Sequence, residues 1–265
     1  GACPSNYTLT RIWTATDACS NSASKTQIIK VQDTTAPILS EAPADVTVEC
    51  NAVPVAATLT ATDNCDAAPV VTYKEVRTDG VCPSTYTLTR TWTATDACSN
   101  SASKTQVIKV QDTTAPVLSE APADVTVECN AVPVAATLTA TDNCDAAPVV
   151  TYREVRTDGV CPSTYTLTRT WTATDACGNS ASKTQVIKVQ DTTAPALVCP
   201  SSQTVFVDVD KNFATVTIAA PTVTDNCGQV KYSNDVNHTM NASGQYPIGT
   251  TTVTWTATDE CGNTT

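Results

Sequence analysis

The chain of 265 residues carries 26 acidic against 15 basic side chains, a formal net charge of −11. That balance argues against a nucleic-acid partner, whose phosphates call for a basic surface, and suits solubility and cation binding instead. Charged residues are only 15% of the total, threonine, alanine and valine dominate, and no apolar run could span a membrane, so the composition reads as β-sheet.

Residues 1–32 open on GACPSNY, which reads as the middle of a domain with no signal peptide, so the chain is expected to be an internal piece of a longer protein. The phrase YTLTRIWTATDACSN begins at Tyr7, returns as YTLTRTWTATDACSN from Tyr86 and as YTLTRTWTATDACGN from Tyr165, and echoes as TTTVTWTATDECGN from Thr250. Cys3, Cys82 and Cys161 fall at a constant spacing of 79 residues, as do Cys19, Cys98 and Cys177. A fixed period marks a repeat architecture, not one large domain. Residues 1–32 are then the C-terminal part of a truncated repeat, 33–111 and 112–190 are complete repeats, and 191–265 is a diverged copy lacking its last strand. The two complete copies differ only at Ile38/Val117, Lys74/Arg153 and Ser99/Gly178.

Within a complete copy, strands are read from alternation with period two. From Thr85 to Thr95 every odd position is threonine, while Tyr86, Leu88, Arg90, Trp92 and Ala94 share the other face. Further strands are expected at Asp45–Cys50, Ala57–Asp63, Val70–Arg77 and Ser103–Gln111, separated by the proline-bearing stretches APAD, NAVPV, DAAPV, CPST and DTTAP. About seven short strands and no helical segment predict an all-β, immunoglobulin-like sandwich for each repeat, and the tandem array predicts an elongated rod.

Thirteen cysteines with no CxxC pair and a single histidine, His238, lack the spacing and partners of structural zinc. They read as disulfides, which persist outside the cytoplasm. Alternating strand direction places Cys65 and Cys98 at one pole of a sandwich and Cys50 and Cys82 at the other. The diverged copy keeps Cys227 and Cys261 but lacks counterparts of Cys50 and Cys82 together. Pairs within each copy are therefore expected: Cys50–Cys82, Cys65–Cys98, Cys129–Cys161, Cys144–Cys177 and Cys227–Cys261. Cys3, Cys19 and Cys199 are left to partners in flanks outside the chain.

The stretches DTTAPALVCP, TVTDNCG and YPIGTTTVTWTATDECGN resemble the hyalin repeat, an extracellular immunoglobulin-like module. The complete copies are similar to the tandem repeats of very large SprB-like gliding-motility adhesins of flavobacteria. The resemblance implies a cell-surface filament exported by type IX secretion, moved by an envelope motor, and adhering to an extracellular surface or polysaccharide. On that reading the repeats are disulfide-stapled spacers. The alternatives are multivalent glycan- or protein-binding modules, or a structural component of a surface layer or sheath.

No nucleophile–base constellation recurs, and His238 stands alone in the diverged copy, so no enzymatic activity is expected. Trp13, Trp92, Trp171 and Trp255 sit on the packing face, which favours a core role over stacking on sugars. Arg90 on that face is expected either to stack on Trp92 or to reach an acidic neighbour. In the DTTAP stretches, Asp-Thr-Thr resembles the short O-glycosylation motif of Bacteroidota, making Thr34, Thr113 and Thr192 candidate acceptors. The same stretches also suit a stiff linker.

The pole argument also gathers aspartates. Asp33, Asp63, Asp66 and Asp96 are expected to cluster at one junction, and Asp112, Asp142, Asp145 and Asp175 at the next. The third cluster is Asp191, Asp225 and Asp259, with Gly228 in place of the fourth residue. Carboxylates from three segments suit calcium, the one cofactor expected here, in an arrangement that resembles cadherin junctions. The competing reading is that each aspartate caps its own turn.

Overall fold

The computed structural model describes residues 3–207 and 209–265. The chain separates into two compact units. The first runs through Pro116 and takes in Thr141–Pro148 and Thr174–Ser180; the second holds Val117–Ala140, Val149–Ala173 and Ala181–Thr265.

The first unit opens with an antiparallel hairpin, β1 (Tyr7–Thr16) and β2 (Ser22–Val31). The complete copy follows as β3 (Ile38–Leu39), β4 (Val46–Glu49), β5 (Ala61–Thr62), β6 (Val70–Asp79), β7 (Tyr86–Thr95) and β8 (Ser101–Gln111). Its sheets have the orders β4-β8-β7-β6 and β3-β5, with β4 parallel to β8 and the other pairs antiparallel. The copy thus has six strands where about seven were expected. The expected Ala57–Asp63 strand shrinks to two residues, because its earlier part runs alongside the core without pairing. A strand in the DTTAP region, β3, was not foreseen.

Alternation along β7 is borne out: Leu88, Arg90, Trp92 and Ala94 are buried while the intervening threonines are partly exposed. Period-two geometry puts these four on one face, and β3 and the segment before β5 cover it. Trp92 and Ala94 pack with Leu39 and Leu59, and the Trp92 indole donates from Nε1 to Ala57 O at 3.0 Å. Leu88 packs with Ile108 and Val110 of β8, backed by Val48 and Cys50. Two sheets closing on one apolar layer make this a β-sandwich. Trp92 therefore belongs to the core, and removing it costs about 3–5 kcal/mol. In the β1–β2 hairpin the equivalent Trp13 is 54% exposed.

Arg90 reaches an acidic neighbour: Nε donates to Glu75 Oε2 at 2.7 Å, and a terminal nitrogen donates to Pro54 O at 2.8 Å. The ring beside Trp92 is Tyr73, with centroids 5.5 Å apart.

The second unit repeats this arrangement with β9 (Val117–Leu118), β10 (Val125–Glu128), β11 (Ala140–Thr141), β12 (Val149–Asp158), β13 (Tyr165–Thr174) and β14 (Ser180–Gln190). Trp171 again packs with Leu118, Leu138 and Ala173. The diverged copy adds β15 (Ala196–Val198), β16 (Phe213–Val216), β17 (Thr222–Thr224), β18 (Val230–Asn234), β19 (Gly244–Pro247) and β20 (Trp255–Asp259). These pair as three antiparallel ribbons, β15–β17, β16–β19 and β18–β20, and Trp255 is buried. His238 is exposed in a turn, with its amide bonded to Asn234 O.

Candidate functional site

The disulfides correct the expected pairing. The bonds are Cys3–Cys98, Cys50–Cys144, Cys82–Cys177, Cys129–Cys227 and Cys161–Cys261. Each joins one copy to the next and spans 94 to 100 residues. Cys65, expected to bond Cys98, is free, as are Cys19 and Cys199; Cys3, expected to be left over, is bonded. None of the five expected pairs forms, although nine of the ten cysteines named for them are disulfide-bonded.

The physical reason lies in the loops. The CPST loop of one copy meets the DNC loop of the following copy: Ser84 Oγ donates to Cys144 O at 3.1 Å. Ser163 donates in the same way to Cys227 O, and Ser5 to Cys65 O. The following copy's cysteines therefore stand nearer to Cys50 and Cys82 than these stand to each other's sulfurs. The first unit contains two such meeting points, and the second contains the third.

At each meeting point three aspartates converge. Ligand oxygens of Asp33, Asp63 and Asp96 all lie within 4.8 Å of one another, as do those of Asp112, Asp142 and Asp175, and of Asp191, Asp225 and Asp259. Their positions follow from turn chemistry, since an aspartate at a strand end accepts from the amides ahead of it. Asp63 Oδ1 accepts from the Cys65 and Asp66 amides, each at 2.9 Å. Asp96 Oδ1 accepts from the Cys98 and Asn100 amides at 2.8 Å, and its Oδ2 from Asn100 Nδ2 at 2.8 Å. Asp33 is held by its backbone: its amide donates to Asn6 Oδ1 at 2.6 Å, and its carbonyl accepts from Asn100 Nδ2 at 3.3 Å.

Asp66 and Asp145 stand outside the triads. Asp66 Oδ2 accepts from the Ala97 amide at 2.9 Å, and Asp145 does the same for Ala176, so these two tie one loop to another. Both readings of the aspartates thus have physical content. In the third member of each triad both oxygens accept hydrogen bonds, as in Asp96, whereas in the first two one oxygen is left over. Asp33 Oδ2, Asp63 Oδ2, Asp112 Oδ2, Asp142 Oδ2, Asp191 Oδ1 and Asp225 Oδ2 are buried without a hydrogen-bond partner.

Electrostatics separate the members. Burial, and then the carboxylates of Asp175 and Asp142, push Asp112 above the usual carboxylate range. Burial, Asp259 and Asp225 do the same to Asp191. Burial also acts upward on Asp96, but hydrogen bonds from the Asn100 side chain and backbone outweigh it and hold this carboxyl low.

Two sets of residues escaped the sequence reading. Asn100, Asn179 and Asn263 each bridge two members of a triad; the recurring Asn two residues after each DxC cysteine was the available signal. Glu49 and Glu128 also border the second and third triads. They accept the hydroxyls of Thr113 at 2.7 Å and Thr192 at 2.6 Å. Thr34, Thr113 and Thr192 are all exposed, but the last two have their hydroxyls engaged in this way.

Residues 190–265 match a family model described as the HYR domain, and 117–189 match an HYR-like domain with 4 cysteines. Hyalin of Strongylocentrotus purpuratus is 34% identical over 97% of the chain, which spans 22% of that protein's length. The sushi, von Willebrand factor type A, EGF and pentraxin domain-containing protein 1 of Rattus norvegicus is 33% identical over 32% of the chain and 2% of its own length. Among solved structures, the protocadherin gammaB7 EC3-6 cis-dimer covers 99% of this chain and 83% of its own, at 15% identity and a TM-score of 0.35. The strand order and the packed layers, not that superposition, define the fold. The chain carries hyalin-repeat-like modules, and with its five disulfides it is of the extracellular or cell-surface kind.

Proposed function

We propose that these hyalin-repeat-like modules are the disulfide-linked spacer of a large adhesion protein, holding an adhesive element away from the cell surface. The observation that supports the reading most is the bonding of each copy to its successor, as in Cys50–Cys144 and Cys82–Cys177. A binding domain needs bonds that hold its own loops; a spacer gains from bonds that hold neighbours. Removing one native disulfide of this kind costs about 2–5 kcal/mol. Stability in such an array is the sum of each unit and its contacts with neighbours.

Within this reading, the parent protein is a gliding-motility filament of the SprB-like kind, exported by type IX secretion and adhering to surface polysaccharide. Repeat-only protein, oxidised and verified by non-reducing peptide mapping, is the material for the test. Immobilised on beads, it should bind neither glass nor polysaccharide above a bare-bead control. Saturable binding by the repeats alone would replace the spacer with a multivalent binding module.

A further inference from the structure

We propose that each triad, Asp33/Asp63/Asp96, Asp112/Asp142/Asp175 and Asp191/Asp225/Asp259, is a binding site for one calcium-sized hard divalent cation. The argument is independent of the spacer function.

Geometry comes first. Three carboxylate oxygens mutually within 4.8 Å fit around an ion that stands about 2.3–2.6 Å from each oxygen, because opposite donors on such an ion are about 4.8 Å apart. The second observation is the orphaned oxygens. Asp33, Asp112 and Asp191 are 6%, 6% and 7% exposed, and each carries a buried oxygen that no donor satisfies. The second aspartate of each triad, Asp63, Asp142 or Asp225, contributes another. Two sealed, unpartnered carboxylate oxygens beside a third carboxylate are costly without a positive charge among them.

Among the described residues, no ion pair supplies such a charge. Those of Arg77, Arg90, Lys104, Arg156, Arg169 and Lys183 all go to other acids. The neighbouring Asn100, Asn179 and Asn263 orient the aspartates without neutralising them.

The donor set selects the ion. Zinc is disfavoured at the second and third triads because the bordering sulfurs, Cys144 and Cys227, are in disulfides. At the first triad the neighbouring Cys65 is a free thiol, but it is not among the three ligand atoms that converge there. Magnesium demands compact octahedral geometry and keeps its waters, whereas calcium tolerates a loose partial shell completed by water. The diverged copy supports the choice of residues. It retains Asp191, Asp225 and Asp259 but replaces the loop-tying aspartate with Gly228. Glu49 and Glu128 add negative charge beside the second and third triads.

Titration calorimetry on the oxidised chain at about 150 mM sodium chloride, where diffuse attraction is screened, tests this. The expected result is saturable calcium binding at three sites per chain, with dissociation constants in the range of about 10⁻⁴–10⁻³ M common to extracellular modules. Asp112→Asn, which keeps the side-chain shape, should reduce the stoichiometry from three to two. The triple variant Asp33→Asn/Asp112→Asn/Asp191→Asn should bind at least tenfold more weakly. Its melting temperature in EDTA should equal or exceed that of the parent, and calcium should raise only the parent's. Glu41→Gln, at an exposed ion pair, is the control and should change nothing. No saturable heat up to about 10 mM calcium, equal response to magnesium, or unchanged binding by the triple variant would each overturn the proposal.

Discussion

Arg90 and Ser99 show what single side chains contribute to this fold. Arg90 is buried on the packing face, with its side chain only 5% exposed, and Glu75 at its side is 36% exposed. A charge placed there is tolerable because Glu75 and Pro54 O accept its protons. Hydrogen bonds from Arg90, and then Tyr73, hold the Glu75 carboxyl below its ordinary range. A depressed carboxylate stabilises the fold above its unfolded-state value, about 4.3, and that contribution is lost as pH falls through the folded value. Urea melts should therefore show the parent losing its advantage over Glu75→Gln as pH drops from 7 toward 3. Ser99 holds a left-handed backbone, φ 73°, and Ser20 does likewise at φ 66°. The equivalent positions in later copies are Gly178 and Gly262, each with φ 91°. Because a Cβ is strained there, Ser99→Gly should stabilise the protein by about 0.5–1.5 kcal/mol in thermal or urea unfolding.

At the scale of elements, the β6–β7 hairpin deserves the closest test because its loop carries Cys82. Gly80 donates its amide to Thr85 O at 2.8 Å, and a Cβ at Gly80 would stand 2.5 Å from Thr85 Oγ1 and 2.8 Å from Thr85 O. One of these contacts is backbone, so the loop must open. Gly80→Ala should destabilise the protein by about 1–3 kcal/mol and lower the oxidative yield of Cys82–Cys177, read by peptide mapping. The strand β7 was legible in advance, because threonine alternation over eleven residues admits only one periodicity. The region before β5 was not: ATLTATD, from Ala57 to Asp63, looks like a strand, but only Ala61 and Thr62 pair with β3. Its role is to lay Leu59 and Ala57 over Trp92, and packing of that kind leaves no period in the sequence.

For the molecule as a whole, the aspartate triads and the cysteine pairing had different fates for one reason. Strand direction told which residues share a pole, and that sufficed to gather Asp33, Asp63 and Asp96, all contributed to one end of one copy. Asp66 stands outside that group because its carboxylate turns to the Ala97 amide. Pairing the cysteines required knowing what lies opposite that pole. In a tandem array the next copy offers cysteines of the same kind, so the pattern within one copy could not choose between bonding inward and bonding forward.

Bonds directed forward change the covalent route through the protein. From Cys3 a path crosses to Cys98, follows the backbone back to Cys82, crosses to Cys177, returns to Cys161 and crosses to Cys261. Backbone is travelled only from 98 to 82 and from 177 to 161, sixteen residues each time, although residues 3 and 261 are 258 positions apart. At about 3.3–3.6 Å per extended residue, a fully unfolded but oxidised chain pulled between those points stops near roughly 110 Å, against roughly 900 Å once reduced. In single-molecule pulling, the oxidised protein should yield only that short tether, and reductant should release the remainder. The cysteines thus set a hard limit on length that is independent of whether any domain stays folded. Under load such a strand cannot become slack.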